Sequence, residues 1–423
     1  MIWAGSVMRF TAVLLVLCAL PLLSDDGAAG DWPSWRGPNR DDISTETGLL
    51  KQWPEGGPKK LWTSKDAGLG YSGVSVVGDM LYTMGADGTT PESKEFVIAL
   101  NVKTGEKIWQ TNIGPFLENG WGGGPRSTPA VADGLLVAIG GKGDVVCLSV
   151  TDGAEKWRAS FTELGGAIPS WGYCESALID GDKVLVTPGG ANGTVACFNL
   201  KTGEKLWQST EITVNAHYSS ILPVDHFGKR QYIQLTESKV FGIDGDGKLL
   251  WQQDFPGRVA VIPTPIYKDG SVYVTAGYGV GCMMINVTAD NKVEKIYENK
   301  VMKNHHGGVV LIGDFIYGHS DATGMVCQNL MTGEQVWSDD KKNGSKGAVA
   351  CADGMLYCLE EESGDCFLVE ATSAGYKEVS RFKMDPQTTQ RNPQGRIWTH
   401  PVIANGKLYL RDQDIVSCYE ITP

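Results

Sequence analysis

The sequence predicts an all-β fold, an eight-bladed β-propeller of four-stranded antiparallel blades. Three observations predict it. A phrase closing on an aromatic residue, most often Trp, returns every 40 to 50 residues along most of the chain. Asp-Gly and Asn-Gly pairs separate short apolar runs, the chemistry of tight hairpins whose turns need positive φ. Glycine supplies 54 of the 423 residues and Trp 13, a glycine share about twice the usual ~7%.

The N-terminus comes first. Arg9 precedes an apolar run over residues 10–23, 14 residues long. A spanning helix needs about 20 and an export signal about 7–15. Residues 1–29 are therefore read as a signal peptide, cut near Gly27-Ala28-Ala29. Cys18 follows Leu17, where a lipoprotein signal places Gly, Ala or Ser, so lipidation at Cys18 is not expected. No other segment of the sequence suits a transmembrane helix. Residues 30–56 are read as an N-terminal arm and 57–423 as one propeller domain. The expected location is periplasmic or secreted, and the expected state a monomer.

The repeated phrase occupies residues 99–109, 147–157, 197–207, 242–251 and 327–337. Its closing aromatics run Trp62, Trp109, Trp157, Trp207, Trp251, Tyr297, Trp337 and Phe382, at intervals of 47, 48, 50, 44, 46, 40 and 45. Upstream of each phrase lies a short apolar strand, a Gly-containing turn and a second strand, as in residues 128–137 and 401–410. Each unit thus reads as four strands, with Thr-Gly-Glu at the corner before the outer, Trp-bearing strand. An eighth unit begins at Thr399 and ends before its own Trp strand. Leu61-Trp62 is a Trp strand without a unit. Lending it to the last blade closes the ring. Seven blades is the alternative if the Tyr297 or Phe382 unit is not a blade.

The phrase resembles the tryptophan-docking motif of the quinoprotein-like (PQQ-repeat) propellers of exported bacterial type, over residues 57–421. That resemblance implies that the Trp of one blade packs between blades, against the Gly-containing turn of its neighbour. Residues 31–39, from Asp31 to Asn39, resemble the N-terminal arm of exported quinoprotein-like proteins.

The ten cysteines include no C-x-x-C, which argues against a zinc ribbon and attached c-type haem. Cys147, Cys197, Cys327 and Cys418 share one repeat slot with Ala99 and Gly242. The slot wants a small residue, so these read as buried, inert thiols. Cys351, Cys358 and Cys366 lie close enough in sequence for one disulfide.

Inner strands of a propeller line a channel, and their entrances shape a funnel. Aligned on the hairpins, the entrance column reads Gly70, Arg126, Tyr173, His217, Ile262, His305, Lys346, Trp398. Two residues on, the column reads Ser72, Thr128, Glu175, Ser219, Thr264, Gly307, Ala348, His400. Three of the six histidines fall in these columns. The candidate ligand site is Arg126, Trp171, Tyr173, Glu175, His217, His305, Lys346, Trp398 and His400. Arg126 and Lys346 would meet anionic groups, and Trp398, Tyr173, Trp171 or Trp121 would present flat faces. Glu175 or a histidine would carry protons. No metal site is expected, because His217, His305 and His400 belong to different blades and zinc ligands must converge to about 2.0–2.2 Å.

Net charge is −12, from 37 basic and 49 acidic residues, with no basic tract, which argues against nucleic-acid binding. Two functions remain. The first is an exported module or scaffold that binds a small molecule or a protein at the propeller face, its ligand unidentified. The resemblance includes outer-membrane-assembly scaffolds of that kind. The second, also implied by the resemblance, is a periplasmic PQQ-dependent dehydrogenase of the alcohol or polyvinyl-alcohol type. Its adjacent Cys-Cys pair, its haem and a full calcium ligand set are missing from this sequence, so PQQ with calcium is the weaker cofactor expectation.

Overall fold

The structure, a computed structural model, describes residues 1–2, 30–339 and 346–423. The expected signal peptide, its cleavage site and Cys18 lie outside the described residues. Eight antiparallel sheets follow one another around a ring. Their inner strands are Ser75–Val77, Ala130–Ala132, Leu178–Asp180, Leu222–His226, Ile266–Lys268, Val309–Ile312, Gly347–Ala352 and Val402–Ala404, numbered here as blades 1 to 8. No helix occurs among the described residues.

The ring closes as the orphan Trp strand predicts. Lys60–Ser64 pairs antiparallel with Ile415–Glu420 and completes blade 8 from the other end of the chain. The buried guanidinium of Arg411 staples this seam, donating to Ser72 O at 2.9 Å and Gly68 O at 3.1 Å on the blade 1 side.

Blades are joined by their aromatics. Trp62 Nε1 donates to Val102 O at 3.0 Å, Trp109 to Val150 O at 2.9 Å, Trp157 to Leu200 O at 2.7 Å, and Trp337 to Thr372 O at 2.8 Å. Each acceptor belongs to the corner of the next blade. Gly105 shows why that corner needs glycine. Its φ is +73°, and a Cβ there would lie 2.5 Å from the Trp62 ring. Both expected weak units are full blades, since Tyr297 donates its hydroxyl to Leu330 O at 2.7 Å and Phe382 packs on Gly57. Trp251 departs from the pattern. The corner of blade 5 has no glycine, and Trp251 donates instead to Gln231 Oε1 at 2.9 Å. Gln231 in turn donates to Asn291 of the blade 5 corner at 2.9 Å, so a side chain relays the contact.

The cysteine slot has a steric cause. Ala99, Cys147, Cys197, Gly242, Cys327 and Cys418 each pair across the ladder with the Trp of the outer strand. Cys366 holds the same place opposite Phe382. The nine described cysteines are all free, so the disulfide that the sequence allows among Cys351, Cys358 and Cys366 does not form.

The arm does not lie on the surface. It runs through the channel and bonds the inner strands. Trp32 exchanges two backbone hydrogen bonds with Val76 of blade 1, at 2.7 and 2.8 Å, and Val131 N of blade 2 donates to Pro33 O. Arg40 donates to Ser176 O and Ala177 O beside blade 3, and Arg36 to Val309 O of blade 6 at 2.5 Å. Ile43–Ser44 then adds to blade 7 as a parallel fifth strand. Trp32, Arg36, Arg40 and Asp42 are all 2% exposed or less. Buried charges persist only when paired, and Arg36 Nε meets Asp42 Oδ2 at 2.6 Å.

Candidate functional site

The ladders fix which residues are equivalent from blade to blade. Ser75, Ala130, Leu178, Pro223, Ile266, Val310, Ala350 and Val402 face Tyr82, Val137, Leu185, Tyr232, Tyr273, Tyr317, Tyr357 and Tyr409. Four residues earlier stand Tyr71, Arg126, Cys174, Ser219, Ile262, His306, Lys346 and Trp398. Six of these eight line one cavity of about 120 Å³ at the entrance face, together with Trp35, Trp171, Tyr218, Tyr278 and His305.

Comparison with the sequence alignment is direct. The two agree in blades 2, 5, 7 and 8, at Arg126, Ile262, Lys346 and Trp398. In blades 1, 3, 4 and 6 the alignment slips by one or two residues, to Gly70, Tyr173, His217 and His305. A one-residue slip in a strand turns a side chain to the other face. These residues precede the strands, where alternation does not hold, so each lands where its loop puts it. The same loops explain the histidine pair. His305 and His306 lie outside any strand, and both line the cavity with their rings 5.8 Å apart.

Of the nine candidate residues, Arg126, Trp171, His305 and Trp398 line the cavity. Arg126 Nε donates to Trp171 O at 2.8 Å and Nη2 to Gly122 O at 2.7 Å, with the guanidinium 4.7 Å from the Tyr71 ring centre. Lys346 Nζ reaches His305 Nδ1 at 2.9 Å and stands 3.7 Å from Asp321. Trp398 Nε1 donates to Glu361 at 2.9 Å, and its ring packs on Tyr71 with centres 4.8 Å apart. His217 lies beside the cavity against Tyr218. Its Nδ1 accepts from Val261 N at 3.0 Å, and burial pushes its pKa down to about 4.

The other three candidates are buried elsewhere. Tyr173 packs edge-on against Phe161 and donates to Pro188 O at 3.1 Å. Glu175 accepts from Thr187 N and, at 3.3 Å, from Gln234. Burial raises its pKa to about 7 against those hydrogen bonds and the nearby Arg40. His400 lies under the floor. Its ring packs on Trp35 at 4.4 Å, and its nitrogens meet Asp42 Oδ2 at 3.2 Å and His306 O at 3.1 Å.

Sequence reasoning missed Trp35, Tyr71, Tyr218, Tyr278 and His306 as cavity residues. Tyr71 and His306 each follow a column residue directly, so a one-residue shift of the columns finds both. Trp35 had no local signal, because only the path of the arm brings it to the cavity floor.

Residues 93–339 match the family PQQ_2, described as outer membrane protein assembly factor BamB. The chain belongs to this family. Among its relatives is the outer membrane protein assembly factor BamB of Burkholderia pseudomallei, 25% identical over 380 residues, covering 84% of this chain and 86% of the relative. That of Moranella endobia is 22% identical and covers 65% of this chain and 68% of the relative. BamB from Moraxella catarrhalis shares the fold at a TM-score of 0.57 and 18% identity, covering 82% of this chain and 93% of the other. Quinohemoprotein alcohol dehydrogenase from Comamonas testosteroni shares it at 0.64 and 10%, covering 93% and 81%.

A quinone cofactor with calcium was therefore tested against the site. Cofactor sites run to about 300–1,000 Å³, well above this cavity. The described residues include no group of three or more His, Cys, Asp or Glu placed to hold a metal ion. Trp35 and the arm cross the channel beneath this cavity, and a second cavity of about 320 Å³ lies beyond, between Arg36, Arg40, Asp41 and blades 4 to 6. The residues of the entrance cavity do not fit that cofactor.

Proposed function

We propose that the protein is an exported, periplasmic, monomeric scaffold that binds a protein partner at the entrance face and serves outer-membrane protein assembly. One observation carries the reading. Residues 32–44 of the chain cross its own channel and floor the small cavity, which presents the entrance face as a closed surface for a partner. The family match and the names of the relatives support the same reading.

The entrance loops are built for contact. Trp121, Ile168 and Val259 are each more than 40% exposed, on loops that also supply cavity residues. Tyr71 donates to Trp121 O at 2.8 Å, and Asn119 ties two of the loops by donating to Ser170 O at 2.9 Å. Exposed apolar residues on braced loops suit a protein interface. The cation of Arg126, Lys346 and the carboxylates of Asp321 and Glu361 provide a polar surround.

The test is site-specific photocrosslinking from position 121 or 168 in the native cell envelope, with position 108, on an outer strand, as control. Adducts with a component of outer-membrane assembly from 121 and 168, absent from 108, are expected. Quinone absorbance carried through gel filtration with calcium, together with dye reduction by alcohols, would overturn the scaffold reading in favour of an oxidoreductase.

A further inference from the structure

We propose that the aromatic cavity is a socket for one phenol ring, presented by a tyrosine side chain of the protein partner. The partner in this proposal rests on the scaffold reading above. The ring itself rests on the geometry of the cavity.

Size comes first. At about 120 Å³ the cavity is slightly smaller than the 150 Å³ apolar cavity known to hold a benzene ring. It takes one ring and excludes a fused polycycle. Its walls are made for a flat group. Tyr71 and Trp398 pack with centres 4.8 Å apart, Trp171 and Tyr218 5.8 Å apart, and Trp35 forms the floor. Aromatic pairs favour centre distances of about 4.5–7 Å, so a further ring extends an arrangement already present.

Polarity then selects the ring. His306 is 6% exposed; its Nδ1 stands 3.5 Å from Glu361 Oε2, and its Nε2 lacks a hydrogen-bond partner. Burial, reinforced by His305 and His400, holds its pKa well below the usual histidine value. It is therefore a neutral imidazole, and with its proton on Nδ1 toward Glu361 its Nε2 is an acceptor left to satisfy. A buried polar group left without a partner is costly, and a phenol hydroxyl can donate to Nε2. Arg126 uses Nε and Nη2 on backbone carbonyls, which leaves Nη1 as a donor toward the cavity. A cationic ligand is disfavoured, because Arg126 already lies over the Tyr71 face and Lys346 adjoins His305.

The source follows from the mouth. Trp121, Ile168 and Val259 stand exposed on the loops that carry cavity residues. A buried anchor surrounded by a rim that excludes water is the arrangement of interface hot spots, where Tyr is enriched.

Calorimetric titration of the folded protein separates the possibilities. p-Cresol should bind saturably with one site, and toluene about tenfold or more weakly, because it leaves His306 unpaired. The tripeptide acetyl-Gly-Tyr-Gly-amide should compete with p-cresol, and acetyl-Gly-Ser-Gly-amide should not. His306→Leu should bring p-cresol and toluene to similar affinity. Ile262→Trp, at a half-buried wall position, should abolish p-cresol binding with the melting temperature kept. Absence of saturable p-cresol binding, or equal affinity for toluene in the unaltered protein, overturns the socket. Binding of p-cresol that the tyrosine peptide cannot displace overturns the tyrosine source. The crosslinking from position 121 reads the scaffold function independently of either result.

Discussion

Arg36 and Asp42 offer the sharpest test of the arm's path across the channel. Their side chains are each 1% exposed and meet at 2.6 Å. Arg36 also donates to Val309 O at 2.5 Å and Asp41 O at 3.2 Å. Removing one partner of a buried ion pair costs about 3–5 kcal/mol, since the other charge stays buried and unpaired. Arg36→Met and Asp42→Asn should each lower stability by about that amount. Asn also tolerates the positive φ of 60° at position 42. The double variant carries neither buried charge. What remains is chiefly the loss of the donor to the buried Val309 O, about 1–3 kcal/mol, since Asp41 O is only part-buried. The double variant should therefore be more stable than either single one, with a coupling of at least ~3 kcal/mol. Urea unfolding followed by Trp fluorescence reads all four corners of the cycle. Single losses under ~1 kcal/mol, or losses that simply add, would mean that the pair is solvated and the arm is not seated in the channel.

Three further outcomes are expected. Gly105→Ala places a methyl 2.5 Å from the Trp62 ring, whereas Gly134→Ala, at a similar φ of +71°, meets nothing. Both pay the left-handed backbone cost, and overpacking should make Gly105→Ala about 1–3 kcal/mol worse by thermal unfolding. The pKa of His217, lowered to about 4 by burial, means that between pH 6.5 and 4 the unfolded chain takes up a proton the folded protein refuses. Its contribution is fully present above pH 6.5 and is lost as pH falls, by up to about 3 kcal/mol at ~1.36 kcal/mol per unit. His217→Asn should therefore flatten the acid limb of stability measured from pH 7 to pH 4. Cys174 is the one described cysteine that is not buried, and burial of its thiol group still raises its pKa to about 12. A disulfide reagent at pH 8 should label at most one thiol of the native protein, slowly, and all nine described cysteines after denaturation.

Much of the fold was legible because a propeller repeats one local problem. The Trp on the outer strand, the small residue across the ladder and the glycine corner of the next blade are three parts of a single contact. The spacing of Ala99, Trp109 and Gly153 therefore reports geometry directly. Tyr297 and Phe382 blurred the pattern without breaking it, since an aromatic ring is all that the corner requires. Trp251 shows where the pattern ends. With no glycine at the blade 5 corner, Gln231 and Asn291 carry the contact, and no spacing rule marks a relay of that kind. The cavity was half legible for a related reason. Alternation places residues on strands, and Tyr71, Cys174 and His306 stand on loops of unequal length. The arm was illegible in kind. Arg36 and Val309 are 273 residues apart in sequence, and nothing local to residues 31–39 says that they thread a ring.

That threading bears on the proposed function. By shape alone, the quinohemoprotein dehydrogenase at a TM-score of 0.64 lies nearer to this chain than BamB from Moraxella catarrhalis at 0.57. A fold hosts many activities, so shape cannot choose between them. The interior can. A cofactor reaching into the channel from the entrance face would have to expel Trp35, unpair Arg36 from Asp42 and leave both charges buried. Each of those steps costs free energy that a ligand must first repay. A partner at the entrance face displaces none of these residues. It meets loops already braced by Tyr71 and Asn119 and a cavity already open to one ring. The same residues that close the channel to a cofactor, with Trp35 as floor and His400 beneath it, give the face the fixed base that a binding surface needs.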